Sequence, residues 1–204
     1  MNPENRAIRI GNVLRADIRG FVAASRIPEP EVPTFGTFVR APIQQGQSQL
    51  IGLVYDISMQ DDQFLRHLAV TLEEDNPAHQ EIIADQRERA IPVEISVAAI
   101  GYQDSHGYHY GLPPQPPMIL KKIAVCQPAE VKQITAHPEW IRALLENREV
   151  PADELIVRAI QRSAELHAEE KQTYLITAGR YLAQQLGHEP LRLATLLQRM
   201  AGQE

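Results

Sequence analysis

The hydrophobic pattern changes once along the chain, near residue 135, and this change constrains the fold more than any other feature. Before it, short runs rich in Ile, Val, Phe and Tyr alternate apolar with polar residues, most clearly over residues 93–97. An alternation with a period of two is typical of half-buried strands. After it, apolar residues recur at spacings of three and four, which indicates amphipathic helices. We therefore predict an α+β protein with a β domain over residues 1–135 and a helical domain over residues 136–204.

Six runs in the N-terminal part are predicted to be strands. They are short and evenly spaced, which is typical of a small barrel or a sandwich. Between the fourth and the fifth run, Asp61 and Asp62 can cap a helix, and residues 78–89 form a second amphipathic segment. We therefore expect a helical insertion over residues 61–90. The predicted strands are residues 6–14, 20–24, 38–41, 49–58, 93–102 and 119–126.

Four helices are predicted in the C-terminal part. Pro138, Pro151 and Pro190 each stand where the first residue of a helix is expected, since proline is tolerated in the first helical turn. Gly187 follows the apolar face of the third helix and is placed to end it. The apolar faces of these segments predict a small helical bundle.

The charge balance narrows the classes of partner. The net charge is −6, and residues 1–135 carry 12 Lys and Arg against 16 Asp and Glu, while residues 136–204 carry 8 against 10. Non-specific nucleic-acid binding usually needs an excess of positive charge, so this balance disfavours it. No apolar run reaches the roughly 18 residues of a membrane span, and the first residues lack the apolar stretch of a signal peptide. We expect a cytoplasmic protein with no membrane partner.

The sequence lacks the common signatures of catalysis. No glycine is followed by lysine, so there is no phosphate-binding loop, and neither Gly-x-Ser-x-Gly nor His-Glu-x-x-His occurs. The single cysteine, Cys126, excludes an intrachain disulfide and lies in an apolar run, where a buried and inert thiol is expected. We therefore predict that the chain is not an enzyme and uses no cofactor or metal.

Two interpretations are open for Asp104, His106 and His109, which surround one turn. Carboxylate and imidazole groups are common metal ligands, so these three side chains could hold a metal ion. The alternative is a polar hairpin loop between two strands, in which Gly107 supplies a positive φ. The hairpin is the interpretation that we favour.

The last two predicted helices have features of a helix-turn-helix. Apolar residues at packing positions flank the turn glycine, and the second helix would offer Arg192, Gln198 and Arg199 to a DNA groove. Against this, His188 stands where an apolar residue is usual, and the helical part is net negative. Plain helix packing is the favoured interpretation, and DNA binding remains the alternative.

The N-terminal region resembles the HAS barrel, the β-barrel shared by HerA-type translocases and rotary ATP synthases. Residues 8–14 are similar to the first strand of that family, an apolar stretch around Ile-Gly. Residues 35–40 and 50–57 are similar to its strand pair, in which Gly-x-apolar-Val is followed by apolar-apolar-Gly-apolar-Val. Residues 97–102, which lead into the proline-rich stretch 111–117, look like its closing strands. The resemblance covers roughly residues 8–130 and implies a barrel.

Two departures from the family limit what this resemblance implies. The large HerA-type proteins continue into an ATPase domain with a phosphate loop, whereas this chain continues into about 70 helical residues without one. The glycine that usually precedes the last strand is replaced by Met118 and Ile119. The resemblance therefore implies neither ATP hydrolysis nor any catalytic residue. In the family, such barrels form the crown of a hexameric ring and a docking surface for partners.

These observations predict a non-enzymatic interaction module. A stand-alone barrel of this type is expected to associate with itself or to dock, as an adaptor, onto a HerA-like or other ring ATPase. The expected partner surface includes Phe35, Phe38, Leu191 and Leu197. The alternative is a DNA-binding protein that uses its last helices on DNA and its barrel for oligomerisation.

Overall fold

The computed structural model describes residues 9–25, 33–59, 76, 79–80 and 93–202, which form seven strands and five α-helices. The strands are β1 (Arg9–Asp17), β2 (Gly20–Ser25), β3 (Phe38–Ile43), β4 (Ser48–Met59), β5 (Val93–Asp104), β6 (Gly107–Tyr110) and β7 (Lys122–Val125). The α-helices are α1 (Pro128–Ile134), α2 (Trp140–Leu145), α3 (Ala152–Leu166), α4 (Lys171–Gln185) and α5 (Pro190–Met200). Two short 3-10 helices are Gln44–Gly46 and Ala168–Glu170.

Six of the strands close into an antiparallel barrel. They follow the order β2-β1-β7-β3-β4-β5, and β2 pairs again with β5. That last pairing runs in register from Gly20 opposite Ala98 to Ser25 opposite Val93. Strand β6 lies outside the barrel and pairs with the far end of β5. The predicted α+β fold, a small barrel followed by helices, is therefore confirmed.

Strands β3, β4 and β5 are buried on both faces. Because successive side chains of a strand point to opposite faces, each strand supplies two cores. The barrel interior is filled by Ile10, Val13, Phe21, Val39, Ala41, Ile43, Leu50, Val54, Ile95, Val97 and Ile123, among others. The outward side chains that join the helical core are Phe38, Ile51, Leu53, Ala98 and Ile100.

The helices cover the outer face of these three strands. Trp140, the first residue of α2, is 0% exposed, and its ring meets that of Phe38 edge to face with centroids 6.0 Å apart. Leu155, Ile156 and Ile160 of α3 are buried in the same cluster. The outer face of the barrel and the helices therefore form a second hydrophobic core, separate from the one inside the barrel.

The structure corrects one boundary of the predicted elements and adds one helix. The last strand was predicted to begin at residue 119 but begins at Lys122, because the residues before it form a turn in which the Lys121 amide donates to the Met118 carbonyl at 3.1 Å. Helix α1 was not predicted and precedes the four helices that were. The predicted insertion, residues 61–90, lies outside the described residues apart from Asn76, His79 and Gln80.

Candidate protein-interaction site

The turn before β7 carries three consecutive exposed apolar side chains, and we call residues 118–120 the apolar turn. Met118 is 69% exposed, Ile119 is 65% exposed and Leu120 is 73% exposed. Single exposed apolar residues are ordinary on protein surfaces, but a contiguous group of them usually marks a contact site. The apolar turn is therefore the first candidate for binding another protein.

Backbone hydrogen bonds fix the apolar turn to the barrel. The Leu120 amide donates to the Val13 carbonyl of β1 at 2.8 Å, and the Val13 amide donates to the Lys121 carbonyl at 2.9 Å. Together with the bond from Lys121 to Met118, these contacts hold both ends of the turn. Its apolar side chains are thus presented on a rigid support, which lowers the entropic cost of binding.

Leu120 has an unusual backbone conformation for its side chain. Its φ is +65°, in the left-handed region, at the third position of the turn 118–121, where glycine is the usual residue. A residue with a Cβ in this region costs about 1–2 kcal/mol. The chain therefore places a leucine where glycine would relieve strain. Strain of this kind clusters at functional sites.

The surroundings of the apolar turn combine further apolar surface with positive charge. Leu14, next to Val13 on β1, is exposed, and so are Lys121 and Lys122 at the start of β7. Sequence reasoning missed this surface because residues 119–126 were predicted to form a strand. The signal that could have found it is three large apolar residues in a row between a proline-rich stretch and a lysine pair.

The four residues that were predicted to form a partner surface are not brought together on one surface. Leu191 is 85% exposed and Leu197 is also exposed, both on α5. Phe35 is partly buried against the helical core. Phe38 is 2% exposed and lies in the interior, because its side of β3 faces α2.

Helices α4 and α5, which have the helix-turn-helix features, pack against α3. Two of the three candidate DNA-contacting residues, Arg192 and Arg199, form ion pairs with carboxylates. The Arg192 guanidinium donates to Asp153 at 2.7 Å and to Glu189 at 3.2 Å. These contacts raise the pKa of Arg192, mainly through Asp153. Arg199 donates to both oxygens of Glu154 on α3. The third residue, Gln198, is exposed.

Asp104, His106 and His109 come together within the β5–β6 hairpin. The His109 Nε2 atom lies 2.9 Å from Asp104 Oδ1, and the His106 amide donates to the same oxygen at 2.7 Å. Hydrogen bonding to His109, and then to the His106 backbone, lowers the pKa of Asp104. Gly107 has a φ of +123°, so the predicted hairpin is confirmed. Within the described residues, no group of three or more His, Cys, Asp or Glu side chains is arranged to hold a metal ion.

Cys126 lies in the core between the barrel and the helices, as the sequence predicted. Burial raises the pKa of its thiol, and the charge of Glu130 adds to this effect. A thiol that stays protonated is a poor nucleophile.

The comparisons with known proteins give no relative from which a function could be transferred. No family model matches the chain, and no curated protein matches it either. In the part of the chain that the structure describes, no helix combines the length and the apolar character needed to cross a membrane.

A buried polar cluster lies among α1, α3 and α4. The Thr135 hydroxyl donates to the Val131 carbonyl at 2.8 Å and therefore accepts from the His167 Nε2–H group, 3.1 Å away. The His167 ring stacks on that of Tyr174, with centroids 4.5 Å apart. Burial raises the pKa of Tyr174 to about 12. Burial, and then the charge of Lys132, lowers the pKa of His167, while Glu170 acts in the opposite direction. The lowered pKa favours the neutral imidazole in the folded chain.

We expect the free energy of unfolding to fall as the pH drops below about 6.5, the ordinary histidine value. Below this pH the unfolded chain binds a proton at residue 167 that the folded chain, with its lowered pKa, does not take up. The contribution of neutral His167 to stability is therefore fully present above the pKa of the unfolded state. It is lost as the pH falls towards the lowered pKa of the folded state. Urea unfolding at pH 7.5 and 5.5 measures the loss, and His167→Gln should make it smaller.

The matched control for this experiment is His137→Gln, which removes an exposed histidine from the neighbourhood of α1. The quantity compared is the change in the free energy of unfolding between pH 7.5 and pH 5.5. A lower overall stability of His167→Gln does not affect this change. If the loss of stability between the two pH values is as large in His167→Gln as in the wild type, the loss does not come from His167 and the prediction is wrong.

Proposed function

We propose that the chain is a non-enzymatic interaction module, a stand-alone HAS-type barrel that associates with itself or docks onto a HerA-like or other ring ATPase. The observation that carries the proposal is the apolar turn, which presents Met118, Ile119 and Leu120 on a backbone fixed to β1. Burying each of these side chains against a partner is worth about 1.5–3 kcal/mol. A few buried side chains carry most of the binding energy of a typical protein interface, and the apolar turn offers three side chains for this role.

The barrel supports this role because its interior is packed. Val13, Leu50, Val54 and Ile95 are each 0% exposed and fill the space between the strands. In a small barrel of this kind, side chains fill the interior, and the described residues leave little room there for a substrate. Binding therefore falls to the loops and the outer surface.

The DNA-binding alternative has less support. Arg192 and Arg199 would have to leave Asp153 and Glu154 before they could reach phosphates or bases. Breaking such carboxylate pairs costs free energy that a net negative chain does not recover from general attraction to DNA. We therefore favour the interaction module.

The double variant Ile119→Ser/Leu120→Gly tests the proposal. Removal of two of the three apolar side chains should weaken self-association, or binding to the ring ATPase, by about tenfold or more. The fold should remain intact, because glycine accepts the φ of +65° at position 120 and relieves about 1–2 kcal/mol of strain. Sedimentation velocity over a range of concentrations measures self-association. A tagged pull-down from nuclease-treated extract, read by mass spectrometry, measures ATPase binding.

Leu191→Ser is the matched control, since Leu191 is an equally apolar and more exposed residue on α5. It should leave the association unchanged if the apolar turn is the contact. A wild-type chain that stays monomeric at every concentration and recovers no ring ATPase would contradict the proposal. Equal losses of association in the double variant and in Leu191→Ser would show that the effect is not specific to the apolar turn. The apolar turn would then no longer carry the proposal.

A further inference from the structure

Arg158 and Arg162 stand one turn apart on α3 without a carboxylate partner. Among the described residues, no Asp or Glu forms an ion pair with either guanidinium, in contrast to Arg192 and Arg199 on the neighbouring α5. The Arg162 guanidinium is partly buried, and it donates from Nη1 to the Thr37 hydroxyl at 2.9 Å and from Nη2 to the Thr34 hydroxyl at 2.7 Å. The hydrogen bonds of the Arg162 guanidinium are therefore made to uncharged hydroxyl groups.

The turn 34–37, which precedes β3, holds both arginines in place. Its hydroxyls orient Arg162, and its Gly36 makes room for the stem of Arg158. A Cβ atom at position 36 would lie 2.9 Å from the Arg158 Cγ atom. Gly36 also has a φ of +76°, which favours glycine. The two cations are thus positioned by contacts that leave most of their N–H groups unused.

This arrangement has a cost in the unbound protein. Like charges four residues apart on a helix destabilise it by a few tenths of a kcal/mol, roughly 0.2–0.5. Partial burial of a cation without a counter-charge adds to the cost. Both effects act on Arg162, since burial and the charge of Arg158 lower its pKa. A bound anion would remove the repulsion and satisfy the exposed N–H groups.

A cavity of about 530 Å³ lies beside the two arginines. The described residues that line it include both arginines and a third cation, Lys171, at the start of α4. Among the described residues that line it there is one carboxylate, Glu165, and it is bound to Lys171 at 2.5 Å. The cavity is therefore lined by an excess of positive charge, although the chain as a whole carries −6.

We propose that Arg158 and Arg162 form a binding site for the phosphate group of a small molecule, such as a phosphate monoester or a diphosphate. A guanidinium group has five N–H donors in a planar fork that matches two phosphate oxygens. Arg162 uses two of its five on the threonines, so the two arginines together keep enough donors to bind three oxygens of one phosphate group. The charge excess of the cavity matches the two negative charges of a phosphate monoester.

Titration with pyrophosphate tests the site, with chloride added to hold the ionic strength constant. Isothermal titration calorimetry should show binding to the wild-type chain. Arg158→Gln and the double variant Arg158→Gln/Arg162→Gln should each lose about tenfold or more in affinity, the usual effect of removing a charged hydrogen-bond partner. The single variant keeps the contacts of Arg162 with Thr34 and Thr37, so its loss cannot be ascribed to a damaged fold.

The matched control is Arg148→Gln/Arg180→Gln, which removes two exposed arginines and changes the net charge equally. It should bind pyrophosphate as the wild type does. Equal weakening in the control would show general charge attraction and would overturn the proposal. Absence of pyrophosphate binding to the wild type, or binding to duplex DNA alone, would overturn it as well.

The phosphate could come from a free molecule or from a lipid headgroup, and a second arm separates these sources. Vesicles of phosphatidylcholine with a few per cent of a phosphoinositide are compared with free pyrophosphate as a competitor. Pyrophosphate binding without vesicle binding supports the proposal and assigns a free small molecule. Vesicle binding that pyrophosphate displaces supports the same site and assigns a lipid source. Vesicle binding that survives Arg158→Gln places the lipid contact elsewhere and overturns the lipid assignment.

Discussion

Trp140→Ala should lower the free energy of unfolding by about 3–5 kcal/mol, the usual range for a large aromatic residue removed from a core. Trp140 is fully buried, and its ring packs edge to face against Phe38 of the barrel. The substitution removes the apolar contact area and leaves a cavity at the junction of barrel and helices, and both effects destabilise the fold. Urea unfolding followed by far-UV circular dichroism measures the change.

Leu191→Ala is the control for this experiment, because it also shortens a large apolar side chain but at a fully solvated position. Its effect should stay within about 0.5 kcal/mol, as for most surface substitutions. A loss of less than about 1 kcal/mol in Trp140→Ala would mean that the helices hold to the barrel by other contacts.

Gly20→Ala should destabilise the protein by about 3 kcal/mol, near the upper end for overpacking, because it opens the seam that closes the barrel. Gly20 begins β2 and stands opposite Ala98 of β5. A Cβ atom at this position would lie 2.0 Å from the Val97 carbonyl oxygen, and the next nearest atoms also belong to the β5 backbone. A backbone cannot move aside as a flexible side chain can. The strands must therefore separate.

Hydrogen exchange read by mass spectrometry locates the effect as well as its size. Amides of β2 and β5 should exchange faster in Gly20→Ala, while those of α3 should change less. Gly187→Ala is the control, because its nearest neighbour, the Ala183 carbonyl oxygen, is 3.4 Å away, an ordinary contact. Normal protection of β2 and β5 in Gly20→Ala would show that the barrel closes without this close approach.

Local patterns in the sequence were sufficient to predict strands followed by helices, but they left a barrel and a sandwich open. The alternation at 93–97 and the three- and four-residue spacing of α3 are properties of single segments, so they identify a strand and a helix without knowledge of the neighbours. The predicted hairpin at Gly107 follows from turn chemistry in the same way. The order of strands in the barrel, by contrast, depends on which segments meet, and no single segment carries that information.

The residues of the candidate sites required the tertiary structure. Phe38 was predicted to belong to a partner surface, but the helices cover its side of β3. Arg192 and Arg199 were candidate DNA contacts only in the alternative interpretation, and plain helix packing was favoured. Asp153 and Glu154, which bind these arginines, lie 39 and 45 residues away in the sequence. The positive φ of Leu120 could not be foreseen, since leucine rarely takes that conformation.

The double-sided burial of β3, β4 and β5 has a consequence for how the molecule comes apart. Removal of the helices would leave Phe38, Ile51 and Leu53 facing water on the outside of an otherwise closed barrel. Opening of the barrel would, in turn, disrupt the outer face of the strands against which α2 and α3 pack. The strand pair β2–β5 can open locally, but complete unfolding of either part removes packing from the other, so we expect global unfolding to be cooperative across both parts. A destabilising change on either side of this shared layer is therefore expected to lower the free energy of unfolding of both the barrel and the helices.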